Sequence, residues 1–123
     1  MKTWAAIGTS LITLGIMLGA FAAHSLKNSL SPYSISVFEK AVFYQFINAF
    51  GIIAITLLAS NNFLTIKSAT SPLTLILAGT VIFSGSLYLL AITDLKWLGM
   101  ITPIGGVLMI LGWILVSYLI FKN

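Results

Sequence analysis

The chain has 123 residues, of which 59% are hydrophobic and only 7% are charged, and its mean hydropathy is +1.12. A soluble domain carries about 25% charged residues, so this composition excludes a water-soluble globule. The net charge of +4 comes from scattered lysines without any arginine, and there is no cysteine, which excludes a basic nucleic-acid patch, disulfides and thiolate metal sites.

Four long apolar segments follow one another along the chain and are separated by short polar breaks. A helix needs about 20 apolar residues to cross the hydrocarbon core of a membrane, and each segment is about that long. The sequence therefore predicts an all-α fold, a four-helix transmembrane bundle with up-down topology and short loops. Residues 1–123 form one domain in this interpretation, with spans at about residues 4–26, 37–60, 72–92 and 98–121.

The first apolar segment also has features of a signal peptide. Lys2 precedes it, and Ala20-Phe21-Ala22 is similar to a cleavage site. The segment is longer than the core of a usual signal peptide, which has about 7–15 residues. We therefore expect a retained first helix.

Three prolines predict the starts of the other three helices. Each follows a hydroxyl residue, in Ser31-Pro32, Ser71-Pro72 and Thr102-Pro103, and this pair is typical of a helix N-cap and first position. If helix two begins at Pro32, its first turns lie in the headgroup region, because the helix exceeds the hydrocarbon thickness. Helix four either begins at Pro103 or begins near Trp97 and kinks at Pro103.

Small residues recur on three of the helices at spacings of four or seven, which predicts close helix packing. Gly15 and Gly19 form a GxxxG pattern, and Ala23 continues the spacing of four. This stripe either holds the helices of one chain together, which we favour, or forms the surface of a homo-oligomer. The predicted packing residues are Gly8, Gly15, Gly19, Gly79, Gly85, Ser86, Gly105 and Gly112.

Polar side chains are concentrated toward the membrane side that faces the first and third loops. They come from four helices at similar depth, and unpaired polar groups in hydrocarbon cost several kcal/mol each. We therefore expect them to form a shared cluster, with His24 neutral and close to helix two or helix three. Hydrogen bonding between helices is the favoured role, and contact with a ligand or ion is the alternative. The predicted members are His24, Tyr44, Gln45, Asn48, Tyr88 and Thr102.

Metal binding and catalysis find little support in the sequence. His24, Glu39 and Asp94 could supply three metal ligands, but the two carboxylates lie at loop edges beside lysines, as solvated interfacial charges do. There is no phosphate-binding loop and no dinucleotide fingerprint. We expect no metal, no cofactor and no enzymatic activity.

Several motifs resemble those of the YgdD/YwdK-like family of small membrane proteins of unknown function. They are GAFAAHSL at residues 19–26, YQ at 44–45, FSGSLY at 83–88, and TPIGG at 102–106 followed by GW at 112–113. The chain departs from the family pattern at two positions. The family has Gly where this chain has Ala22, and it usually has His a few residues after YQ, at the place of Asn48 in this chain. The resemblance implies a four-span protein of the bacterial cytoplasmic membrane with cytoplasmic termini.

These observations predict a multi-pass membrane protein that acts as a non-enzymatic structural or accessory protein. The alternative is a small carrier or channel that uses the polar cluster around His24. The expected partners are membrane lipids, and also a second copy of the chain or another membrane protein, with no nucleic acid.

Overall fold

The computed structural model describes residues 1–123 and consists of four long helices without strands. One π-helical turn, Ala22–Leu26, extends the first helix, and one 3-10 turn, Lys96–Met100, precedes the fourth. All four are long and apolar enough to cross a membrane, so the prediction of an all-α, four-helix membrane fold is confirmed. The helices are α1 (Lys2–Phe21), α2 (Pro32–Ser60), α3 (Ile66–Thr93) and α4 (Thr102–Lys122).

Helix α2 begins at the first proline, as its sequence predicts. The Ser31 hydroxyl accepts a hydrogen bond from the Ser34 backbone N–H, and Pro32 occupies the first turn. The 29 residues of α2 give a length of about 43 Å, against about 30 Å for the hydrocarbon core. The helix is thus longer than the predicted span and extends into the headgroup region.

Helix α3 corrects the prediction that Ser71-Pro72 starts a helix. Its N-cap is Thr65, whose hydroxyl accepts a hydrogen bond from the Ser68 N–H, and Pro72 lies inside the helix. A proline within a helix removes one backbone hydrogen bond. Membrane helices tolerate this where neighbouring helices compensate, and Pro72 is buried against α4 near Gly112.

Helix α4 begins at Thr102, with Pro103 in its first turn. Of the two alternatives for this helix, a start at the proline is therefore the better description. The residues around Trp97 form the separate 3-10 turn before it.

Helices α2 and α3 form the centre of the molecule, with α1 resting mainly on α2 and α4 mainly on α3. Only 17% and 22% of the residues in the apolar stretches of the first and fourth spans are buried, against 50% and 44% in the second and third. Two apolar clusters lie toward opposite ends of the central pair, one around Phe38 and one around Ile55. Polar side chains occupy the layer between these clusters.

Close packing of α1 follows a spacing of seven residues. The buried positions of the first span are Gly8, Gly15 and Ala22, whereas Ala23 is exposed. A Cβ atom on Gly15 would lie 2.9 Å from the Phe46 ring of α2. One on Gly19 would meet α2 only at an ordinary 3.6 Å, so the predicted stripe with a spacing of four is wrong.

The backbones of α3 and α4 approach each other closely at three glycines. A Cβ atom on Gly79 would lie 2.7 Å from the Gly105 carbonyl oxygen, and one on Gly112 would lie 2.6 Å from the Ile76 side chain. These three predicted packing residues all lie at the contact between α3 and α4. The predicted packing role is wrong for Gly85, because no atom lies within 4 Å of its Cβ position.

Candidate functional site

The buried polar layer contains two separate hydrogen-bond networks centred on two amides of α2. In the first, the Tyr88 hydroxyl of α3 donates to Gln45 Oε1 at 2.6 Å. Gln45 Nε2 donates to the backbone oxygen of Leu11 in α1 at 2.7 Å. The Gln45 side chain, which is 3% exposed, thus connects α1, α2 and α3.

The second network joins α2 to α4 through Asn48. The Trp113 indole Nε1 donates to Asn48 Oδ1 at 2.9 Å, while Asn48 Nδ2 donates to the Tyr44 backbone oxygen and to the Met109 sulfur. The Trp113 ring lies so close to Gly51 that a Cβ atom there would overlap it. Asn48 and Gly51 are three residues apart on one face of α2 and form a slot for the indole.

Hydroxyl groups of α3 make two further contacts between helices. The Ser84 hydroxyl donates to the backbone oxygen of Ala41 in α2 at 2.8 Å. The hydroxyls of Ser86 and Thr102 are hydrogen-bonded to each other at 2.6 Å, which places Ser86 at the α3–α4 contact. Thr102 therefore belongs to this pair and not to either network of amides.

His24 lies outside all of these contacts. It is exposed, and its side chain takes part in no hydrogen bond, so the prediction of a single cluster that includes His24 is wrong. The π-helical turn that contains it has more residues per turn than an α-helix, which changes the direction of every side chain in it. Tyr44 also contributes only its backbone oxygen, while its half-exposed ring packs on Phe83.

The buried polar groups are fully used within the protein. No buried side-chain nitrogen or oxygen lacks a hydrogen-bond partner, and no group of three His, Asp or Glu side chains comes together. The arrangement holds helices in place and offers no buried donor or acceptor to a solute.

Three grooves open on the membrane-facing surface. The largest, of about 480 Å³, lies between α2 and α4 over Asn48 and Trp113. A second, of about 340 Å³, lies above it near the ends of the same helices and contains Lys40. A third, of about 200 Å³, separates α1 from α3 over Gln45.

Comparison with known proteins identifies relatives over nearly the whole chain. A family profile described as "Protein of unknown function (DUF423)" matches residues 18–106. The chain belongs to this family. The UPF0382 membrane protein YwdK of Bacillus subtilis (strain 168) is 38% identical over 116 residues, which cover 94% of each chain.

Staphylococcal relatives give the same result for this DUF423 member. A UPF0382 membrane protein of Staphylococcus aureus (strain bovine RF122 / ET3-1) is 39% identical over 99% of this chain and 98% of its own length. One of Staphylococcus haemolyticus (strain JCSC1435) is 40% identical over the same shares. No solved structure matches the chain. The predicted family resemblance is thus confirmed, and the protein is a membrane protein.

The sequence pattern does not predict four of the residues around these networks, namely Gly51, Ser84, Met109 and Trp113. Trp113 and Ser84 lie in the quoted GW and FSGSLY motifs, but neither was assigned to the polar cluster. Gly51 lies one turn after Asn48, and this spacing is the signal that could have revealed a slot for a large side chain.

Proposed function

We propose that the protein is a non-enzymatic accessory protein of the bacterial cytoplasmic membrane, which acts through lipids or through another membrane protein, a second copy of the chain among them. The observation that supports this proposal is the complete internal hydrogen bonding of the buried polar side chains. A carrier needs polar groups that exchange between solute and protein. Here Gln45 and Asn48 each use both amide atoms for contacts within the chain.

The outward surface supports the same role. Helices α1 and α4 expose many of their large apolar side chains, and each of the three grooves lies between neighbouring helices. Interactions of this protein with its surroundings therefore take place on its lipid-facing surface.

A flux experiment tests the accessory role. The purified chain is reconstituted into vesicles that contain a pH-sensitive dye, and proton, sodium and potassium gradients are applied in turn. We expect the same flux as in vesicles without protein. A flux above that level that disappears in Gln45→Leu, while the variant keeps its helical content, would overturn the proposal in favour of a carrier.

We further propose that both termini face the cytoplasm. An even number of spans puts both termini and the second loop on one side, with Lys2, Lys67 and Lys122, while Lys27, Lys40 and Lys96 lie on the other. Lysines in the loops favour the cytoplasmic side, and acidic residues have little influence. Because Lys40 lies within α2 rather than in a loop, the balance of loop lysines favours cytoplasmic termini. Because the chain has no cysteine, single cysteines report sidedness directly. In intact cells, a membrane-impermeant maleimide is expected to label Asn28→Cys and to spare Asn61→Cys, and the reverse pattern would refute this orientation.

A further inference from the structure

We propose that the surface between α2 and α4 binds one anionic phospholipid, with its phosphate at Lys40 and one acyl chain in the groove below. The inference rests on the proposed accessory role and names the class of lipid through which that role is exerted. It follows from the alignment of the two adjoining grooves along these helices.

The two grooves adjoin each other along α2 and α4. Phe83 of α3 lines both of them, and the lining residues of α2 and α4 continue from one groove to the next at helical spacing. On α2, Lys40 is followed one turn later by Tyr44, and on α4, Pro103 is followed one turn later by Gly106. One furrow thus runs from the membrane surface into the hydrocarbon.

The length of this furrow corresponds to one leaflet. Its lining on α4 extends from Pro103 to Ile114, which is about 16 Å at the rise of an α-helix. Half of the hydrocarbon core is about 15 Å thick. The deep part is lined mainly by apolar side chains, among them Ile47, Ile110 and Ile114, as an acyl chain requires.

The upper end of the furrow carries an unpaired positive charge. The only ion pair in the molecule joins Lys96 to Asp94 at 3.1 Å, so Lys40 has no carboxylate partner. Glu39 is adjacent in sequence, but neighbouring residues of a helix do not face each other, and Glu39 does not line the groove. A long lysine side chain can extend its ammonium group to the headgroup level, where a lipid phosphate complements its charge.

Two tyrosine hydroxyls beside the furrow are also free. Tyr33 lines the upper groove and Tyr44 the lower one, and neither hydroxyl takes part in a hydrogen bond. Tyr44 follows Lys40 by one turn, about 6 Å deeper along the helix, which is the level of ester carbonyls below a phosphate. A phospholipid thus offers an acceptor at the depth of Lys40 and another at the depth of Tyr44.

Native mass spectrometry of the full chain tests this site. The protein is mixed in detergent with equal amounts of phosphatidylglycerol and phosphatidylethanolamine that carry identical acyl chains. A lysine near anionic lipid contributes about 1 kcal/mol, which corresponds to about a fivefold preference for phosphatidylglycerol. We expect Lys40→Gln to abolish this preference. The matched control Lys67→Gln, at the opposite membrane surface, is expected to leave it unchanged.

Substitutions in the deep part of the furrow test the acyl-chain position. Gly106→Leu and Ile110→Trp project side chains into the groove from positions with space around them, so each should lower the bound fraction of both lipids. The control Gly85→Leu places the same side chain in the groove over Gln45, outside the furrow, where a Cβ atom meets nothing within 4 Å, and its lipid preference should equal that of the parent. Melting temperatures in detergent identify any variant that fails to fold. If one of the two groove variants does not fold, lipid binding by the other tests the acyl-chain position.

Equal retention of the two lipids by the parent chain would overturn the proposed site, as would equal losses in Lys40→Gln and Lys67→Gln. Unchanged lipid binding in the folded groove variants would refute the proposed position of the acyl chain in the groove. None of these results alters the flux measured in vesicles, and a solute flux would overturn the accessory role without changing the lipid ratio. The two failures are therefore distinguishable.

Discussion

The contact between α3 and α4 makes Gly105→Ala a sharp test of how this protein is held together. The added Cβ atom would lie 2.7 Å from the Gly79 carbonyl oxygen, 2.9 Å from the Phe83 Cα atom and closer still to the Phe83 backbone nitrogen. An ordinary contact needs at least 3.4 Å. Since all three neighbours are backbone atoms, relief of these contacts requires the two helices to move apart by up to about 1 Å.

Such overpacking costs about 1–3 kcal/mol of unfolding free energy. Alanine also has a helix propensity about 1 kcal/mol more favourable than that of glycine. The change in unfolding free energy must therefore be compared with that of a control Gly→Ala substitution that has the same gain in helix propensity. Gly85→Ala supplies it, because its Cβ atom meets nothing within 4 Å. Unfolding in mixed micelles, followed by circular dichroism, should show Gly105→Ala less stable than Gly85→Ala by about 1–3 kcal/mol. Equal stabilities would refute a close backbone contact.

Three further predictions use the same unfolding measurement. Trp113→Phe removes the hydrogen bond to Asn48 and should cost about 1 kcal/mol; an unchanged stability would mean that this bond contributes nothing. Gly15→Ala should be less stable than Gly19→Ala, because only the first of these two Cβ atoms would lie closer than 3.0 Å to α2, and the opposite order would contradict the spacing of seven. His24→Ala should change the stability by less than about 0.5 kcal/mol, since His24 is exposed, and a larger loss would return it to the buried network.

The number and approximate positions of the helices were predictable because membrane insertion depends on apolar length, which is a local property. Helix starts were less certain, since Ser31-Pro32 and Ser71-Pro72 look alike in sequence. The difference lies upstream: Thr65 caps α3 earlier, and the packing of Pro72 against α4 compensates for its missing hydrogen bond. That compensation is a tertiary contact, which a local pattern does not contain.

The sequence predicts the membrane depth of the polar residues, but not the neighbouring helix that each side chain faces. Gln45, Asn48 and Tyr88 lie in the polar layer as expected, because residue number along a span sets depth. Which neighbour each one faces depends on rotation about the helix axis. For His24 the π-helical turn altered that rotation, and the networks of Gln45 and Asn48 diverged toward different helices.

The two amides of α2 impose a timing on biosynthesis. Tyr88, the partner of Gln45, is 43 residues further along the chain, and Trp113, the partner of Asn48, is 65 residues further. At a synthesis rate of about 5–20 residues per second, Tyr88 is synthesised about 2–9 s after Gln45. Trp113 is synthesised about 3–13 s after Asn48. During this interval α2 has left the ribosome with polar groups that hydrocarbon does not solvate. The later helices therefore make the position of α2 in the lipid phase more favourable, which links the stability of the central helix to completion of the chain.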